Sequence, residues 1–521
     1  MRSTLSEQKM ARINDFRVLV VLAAGALAVA AAALVLVGPP ASAASTLVVD
    51  DDKLECQNAG FTSIQDAVDA AGQGDLIRVC PGEYHESVIV DQRLTLAADD
   101  RDALDALDCF DPAVAALDPT QHVIVDPADT GFTEAFMLKA NEIDLSGFVV
   151  QGASVGIDAS DSFSGYRVHH NLIRQNTLFG MDFGSEGTLQ SRVDHNCFRG
   201  DGLQTSSYGL VSELDDDSLW KPSDGPERDE WNARDLINAR IGHNSTFRNI
   251  GGLEAVGPGH HDQVTFENNV SREDVLSILI QNSNPDGSKI VDNELSPIRF
   301  GIGVGGANDG LEITGNVVDR GEIGIIFFAP TGFLDQFTEP TTAATLSGNT
   351  VTNQRGIQAI VVSPGRLQES YLLNNTATGN AVNGIVLQAG NPDNELSGNT
   401  AERNGRNGIL LNGADNNELS GNAANDNAFD GIQLVSGANN NRLLGNTAER
   451  NSRNGINAQG TNVGNLFEAN TMFDNDNGVT NPDPSVTGYD ARDDNRASNT
   501  WNANQCVTDL PTGTICGYVQ P

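Results

Sequence analysis

Twelve times between Asn171 and Asn470 the chain repeats one short phrase: an apolar residue, two small or polar residues, then an asparagine. Clear copies are Leu396-Ser397-Gly398-Asn399, Leu419-Ser420-Gly421-Asn422 and Leu443-Leu444-Gly445-Asn446. The asparagines stand at Asn171, Asn196, Asn244, Asn269, Asn293, Asn316, Asn349, Asn375, Asn399, Asn422, Asn446 and Asn470, and nine of the eleven gaps span 23 to 26 residues. The two longer gaps hold insertions. A unit this short can bury its apolar face only against its neighbours, so the period predicts a solenoid.

One turn shows how the coil is built. After Asn399 come Thr400-Ala401-Glu402-Arg403-Asn404, then Asn407-Gly408-Ile409-Leu410-Leu411, then Gly413-Ala414-Asp415-Asn416-Asn417, and the phrase restarts. Three short strands broken by Gly, Asn and Asp turns make a triangular coil. No segment within the repeats has the length or the 3.6-residue period of a crossover helix. Successive coils must then stack strand on strand, about 4.8 Å apart, as parallel sheets. Asparagine suits the repeated corner because it tolerates left-handed backbone, and its amide can bond to the amide of the next coil.

An open solenoid end exposes strand edges and needs a cap. Thr62-Ser63-Ile64-Gln65-Asp66-Ala67-Val68-Asp69-Ala70-Ala71 reads as a short amphipathic helix with Ile64, Ala67, Val68 and Ala71 on one face. It leads into Gly74-Asp75-Leu76-Ile77-Arg78-Val79-Cys80-Pro81-Gly82-Glu83-Tyr84. This helix, Gly-Asp, strand and Pro-Gly-x-Tyr order resembles the entry of the pectate-lyase-like right-handed parallel β-helix superfamily. The repeats resemble its NosD-type members, and the tail from Asn499 to Cys516 resembles a C-terminal closure of secreted bacterial ones. The resemblance implies an all-β, right-handed parallel β-helix of about 13–15 coils. Residues 44–100 would form the cap and first coils, 101–480 the solenoid with insertions near 212–238 and 329–341, and 481–521 the second cap. Activity does not follow, because such a fold carries lyases, hydrolases, epimerases and non-catalytic proteins.

Seventy acidic against 31 basic residues give a formal charge of −39. That excludes nucleic acid and anionic membrane surfaces as favoured partners and suits cations, calcium among them. Arg2, Lys9, Arg12 and Arg17 precede an apolar run over residues 18–37 and then Ala41-Ser42-Ala43. This is the pattern of a secretory leader ending at residue 43; an uncleaved anchor is the other reading of so long a run. Both place the body outside a bacterial cytoplasm, as a monomer without membrane contact unless the leader is retained. Six cysteines fit that oxidising exterior. Cys506 and Cys516 are close enough to staple the tail, Cys56 and Cys80 flank the N-terminal segment, and Cys109 and Cys197 are either a long-range bridge or two thiols.

In a repeat protein a site is expected where the repeat breaks. An insertion after Tyr208-Gly209-Leu210-Val211 carries Trp220 and Trp231; the next coil has Gly257-Pro258-Gly259-His260-His261-Asp262 at the equivalent turn, and residues 329–337 extend that turn again. Indole faces beside carboxylates suit sugar rings, although such loops may equally cover an edge. His170, His195 and His243 precede the ladder asparagine on three consecutive coils, with Asp194 beside His195. Imidazoles so placed can act as acid and base or bind a metal; they can also be hydrogen-bonding corner residues. Val193-Asp194-His195-Asn196 resembles a pectate-lyase rung, but the calcium-binding acids and catalytic arginine of those enzymes are not recognisable. Arg174, Arg199 and Arg272 form a column three residues after the ladder, fit either to hold uronate carboxylates or to pair with local acids.

Two functions are consistent with these residues. One is a secreted β-helix that binds or processes extracellular polysaccharide as a lyase, hydrolase or epimerase. Its acid and base would come from Asp194, His195, His260, His261 and Asp262, and its substrate contacts from Trp220, Trp231, Arg174, Arg199 and Arg272. The other is a non-catalytic surface, adhesion or NosD-like accessory protein. Convergence of Asp194, His195, His260, His261 and Trp231 in one cleft would favour the first.

Overall fold

The computed structural model describes residues 44–99, 108–115, 117–127, 134–200, 207–212, 235–256, 261–281, 287–328, 339–356, 358–476 and 488–516. The leader-like segment lies outside them. Among the described residues no helix is long and apolar enough to cross a membrane.

Residues from Ala44 onward form one unit, a right-handed parallel β-helix with three long sheets. Sheet A has 17 strands, sheet B 11 and sheet C 16. Each coil runs A, B, C and returns to A; Arg167–His169, Leu172–Arg174 and Phe179–Phe183 are one such turn. The strands of sheet A exceed the expected 13–15 coils because Thr46–Val49, Leu76–Val79, Thr95–Ala98 and Asp144–Ser146 stack below Asn171 without the asparagine phrase. At the other end Thr500–Asn502 adds a further rung, so part of the expected second cap continues the solenoid.

Most strands of sheets A and B are too short for an extended apolar pattern, so one central residue per strand carries the core there. Longer sheet C strands supply two, as at Ile278 and Ile280 or Ile325 and Phe327. In sheet A the central residues are Val168, Val193, Ile241, Phe266, Ile290, Ile313, Leu346, Leu372, Leu396, Leu419 and Leu443, all fully buried. Each such side chain contributes about 1.5–3 kcal/mol relative to exposure. Flanking residues point outward and are free to vary.

The asparagine phrase forms the A–B corner. Asn171 Nδ2 donates to Asn196 Oδ1 at 3.0 Å, and the chain of amides continues rung by rung to Asn470, which donates to Asn504 at 2.9 Å. The residue before each asparagine is left-handed: φ is 55° at His195, 64° at Gly398 and 60° at Gly421. Glycine there costs no steric strain, which explains its recurrence. Two more ladders were not anticipated. Asn380, Asn404, Asn427, Asn451 and Asn475 link at the B–C corner, and Asn394, Asn417, Asn441, Asn465 and Asn499 at the C–A corner. With all three corners laddered, these coils have little freedom to vary.

The capping helix spans Ile64–Ala70, and Ser63 Oγ accepts from the Asp66 N–H at its start. Ile64, Ala67 and Val68 close the core as expected, while Ala71 lies just past the helix. Cys56–Cys80, Cys109–Cys197 and Cys506–Cys516 are disulfides. The second joins residues 108–115 to the outer face of sheet B, where Val114 packs with Ile124, Val149 and Leu172.

Candidate functional site

Four rungs of sheet A place an unusual set of side chains on the outer face. Parallel register aligns Arg167 with Arg192 and Arg192 with Arg240. Two residues further along, the same pairings align His169 with Asp194, Asp194 with Gly242, and Gly242 with Glu267. Outward residues two apart point the same way, so the two rows lie side by side. Arg167 pairs with Asp144 at 3.5 Å, and Arg240 pairs with Glu267. Among the described residues Arg192, between them, has no carboxylate partner; its Nε donates to Gln190 Oε1 at 3.1 Å. Three guanidinium groups about one strand spacing apart form a row beside the carboxylates of Asp144, Asp194 and Glu267.

The adjoining corner carries the histidines. His170, His195 and His243 have φ of 56°, 55° and 56°, the left-handed bend that most other rungs give to glycine or asparagine. Stacking in register makes their rings parallel: His170 and His195 have centroids 4.9 Å apart, and His195 and His243 5.1 Å. His195 Nδ1 lies 3.0 Å from Asp194 Oδ1, so the carboxylate orients the ring. His195 and Asp194 are both accessible.

Cavities open on both sides of this ridge. One of about 190 Å³ lies over sheet A, between Arg192, Asp194, His195, Arg240, His243 and Glu267. Gly242 makes room for it. A Cβ there would stand 3.0 Å from Glu267 Cγ, in the row between Asp194 and Glu267. The other, about 420 Å³, lies between His170, His195, His243 and the segment at Asp108, Cys109 and Val114. A carboxylate-oriented imidazole beside guanidinium groups can exchange a proton with a bound anion.

The other expected residues lie elsewhere. His261 and Asp262 pair with Leu236 and Ile237 at the C–A corner, at the opposite end of the sheet A strands from His195. His261 is fully buried, and its Nδ1 lies 2.8 Å from the Gln281 carbonyl oxygen. The expected cleft therefore holds Asp194 and His195 but does not gather His261 and Asp262. His260, Trp220 and Trp231 lie outside the described residues. The arginine column stands on sheet B and meets the 108–115 segment. Arg174 donates to Gln151 Oε1 at 2.9 Å and to the Val114 carbonyl, and Arg199 donates to the Cys109 and Asp111 carbonyls at 2.9 and 2.8 Å. Arg272 lies over the Phe110 ring, 4.2 Å from its centroid.

The arginines of the sheet A row, of which Arg192 and Arg240 line the cavity, were missed. Their signal was present: Arg167, Arg192 and Arg240 each stand four residues before a ladder asparagine. An offset of minus four puts them on the sheet A strand leading to the histidine, whereas plus three belongs to sheet B. The covering of sheet B by residues 108–115 was signalled only by the possible Cys109–Cys197 bridge, because it depends on contacts across some 90 residues of chain, such as Arg199 to Cys109.

Residues 337–483 match a family model described as right handed beta helix region. Among solved structures, the periplasmic alginate epimerase AlgG is 12% identical, with 82% of this chain and 79% of that chain covered and a TM-score of 0.38. The A-module of the Azotobacter vinelandii mannuronan C-5 epimerase AlgE6 is 13% identical, with 91% and 97% covered and a TM-score of 0.32. A mannuronic acid specific polysaccharide family 6 lyase from human gut microbiota is 12% identical, with 72% and 87% covered and a TM-score of 0.41. No curated protein matches the chain.

Proposed function

We propose that this protein acts outside the cytoplasm on an acidic polysaccharide bound along the outer face of sheet A. The observation that carries the reading is the stack Arg167, Arg192, Arg240 beside Asp194–His195. A strand spacing of about 4.8 Å is close to the advance of one sugar in an extended chain, so successive uronate carboxylates could follow successive rungs. Arg192 is the principal anion acceptor, since its two neighbours already hold acids. A guanidinium on a uronate carboxylate also acidifies the hydrogen alpha to it. His195, held by Asp194, is placed to take that proton as general base. Loss of the glycosidic oxygen would then give lyase chemistry; return of a proton to the other face would give epimerisation. Three disulfides and the leader-like segment fit an extracellular setting.

The test is a panel of uronate and neutral polysaccharides, with and without calcium. Unsaturated ends are followed by ultraviolet absorbance, and exchange of the alpha hydrogen in heavy water by NMR. Signal on a uronate polymer that Arg192→Ala abolishes supports the reading. Binding without turnover reduces it to a carbohydrate-binding surface, and no binding to any polymer favours the non-catalytic adhesion or accessory role.

A further inference from the structure

His169 and His170, beside this face, are not used by the proton transfer and share Asp194 with it. His169 is the outward residue of its strand, yet it is only 3% exposed. Its Nε2 lies 2.9 Å from Asp144 Oδ1, on the rung below. A carboxylate at that distance fixes the proton on Nε2, which leaves the lone pair on Nδ1. That Nδ1 lies 2.6 Å from His170 Nδ1, and the two rings meet edge to face. Asp194 stands on the next rung as the register partner of His169. The ligating atoms of His169, His170 and Asp194 all lie within 4.8 Å of one another.

From this geometry we propose that His169, His170 and Asp194 form a zinc site, with Asp144 orienting His169. Two imidazole nitrogens and one carboxylate oxygen are a borderline donor set that suits a first-row divalent ion. Calcium is disfavoured, since it takes six or more oxygens. Zinc fits an oxidising exterior because it has no redox chemistry, and three protein ligands are the usual number where a fourth position stays open. A tetrahedral centre with bonds of about 2.0–2.2 Å wants its ligands about 3.3 Å apart. Small side-chain rotations would part the two imidazoles and draw in Asp194. Asp144, on the rung below, already holds the far nitrogen of His169 and so fixes the ring orientation that a metal-bound histidine needs. The repeat itself gives no reason for it: regular rungs have serine where His169 stands, as at Ser397 and Ser420, and glycine where His170 stands.

Those rungs also supply the variants. His169→Ser and His170→Asn use residues that the same positions carry elsewhere in the solenoid, including Asn374 at a left-handed corner with φ of 54°. The full chain, stripped with a chelator, is titrated with Zn²⁺ by calorimetry, with bound metal counted after dialysis. One equivalent is expected, with affinity falling at least 10-fold in either variant and 10- to 100-fold in Asp144→Asn. His243→Asn, on the same histidine column but away from the cluster, should bind as the parent does. Thermal unfolding without metal checks that each variant folds. Absence of a stoichiometric site, or a site that survives both His169→Ser and His170→Asn, would overturn the assignment. Because zinc binding is read without polysaccharide, it can fail while the sheet A reading stands, and the reverse.

Discussion

The imidazoles of His170 and His195 lie parallel, with ring planes 1° apart and centroids 4.9 Å apart. That spacing is the rise of the solenoid, and the left-handed corner sets the direction of both rings. The stack therefore comes from the fold. Function must be sought in what each ring touches. His170 faces His169, while His195 faces Asp194.

His195→Asn should separate the fold from the chemistry. Asparagine accepts the left-handed corner, as Asn268 does two rungs on with φ of 51°, so unfolding in urea should shift by less than about 0.5 kcal/mol. Turnover of a uronate polymer should fall by about 10²- to 10⁴-fold, the loss expected for a general base. Unchanged turnover would remove His195 from the mechanism.

Arg192→Gln should weaken binding of uronate polymers by roughly 10- to 100-fold, equivalent to about 1.5–3 kcal/mol for a hydrogen bond to a charged group. Neutral polymers should bind as before, and the loss should shrink at high salt because this arginine is accessible. Isothermal titration at two ionic strengths checks it. Equal loss for neutral and acidic polymers would point to damage of the groove rather than loss of a carboxylate contact.

Asn422→Ala tests the ladder where it is most regular. Asn422 Oδ1 accepts from the N–H and the Nδ2 of Asn399 at 2.9 Å each, and its own Nδ2 donates to the Leu396 carbonyl at 2.8 Å and to Asn446 Oδ1 at 2.9 Å. Alanine leaves these buried partners unmatched, at about 1–3 kcal/mol each before relaxation or entering water. A net loss of about 2–5 kcal/mol is expected by chemical denaturation, with amide exchange accelerated first in residues 396–446. A loss below 1 kcal/mol would mean that the ladder follows from the fold and does little to hold it.

Asp274 gives a pH dependence of known sign. Burial raises its pKa to about 6, against hydrogen bonds from Thr246, Ser271 and Asn249 that oppose the shift. The unfolded chain releases this proton near pH 3.9. Between about pH 4 and 6 the native state therefore holds the extra proton, and the contribution of Asp274 to stability falls as pH rises, levelling off above 6. Asp274→Asn removes that dependence. Its stability relative to the parent should improve by about 2 kcal/mol between pH 4 and pH 7. Parallel stability curves for the two proteins would contradict the burial of an ionisable carboxyl there.

The asparagine period alone determined the three-strand coil, the parallel stacking and the A–B ladder, because each is a local consequence of turn chemistry repeated at fixed spacing, and the amphipathic pattern of residues 62–71 determined the capping helix. The period also marked the rungs between Asn171 and Asn349 as the irregular ones. Which candidates meet was decided only by the closed coil. His195 and His261 stand at opposite ends of the sheet A strands, so nearness in the repeat did not become nearness in space. Arg174 and Arg167 are seven residues apart but lie on different sheets, one facing residues 108–115 and the other the open cavity side. The segment over sheet B and its Cys109–Cys197 bridge join positions 88 residues apart. Period and propensity act over a few residues, whereas these contacts depend on where the chain returns after several turns, and only the tertiary structure sets that.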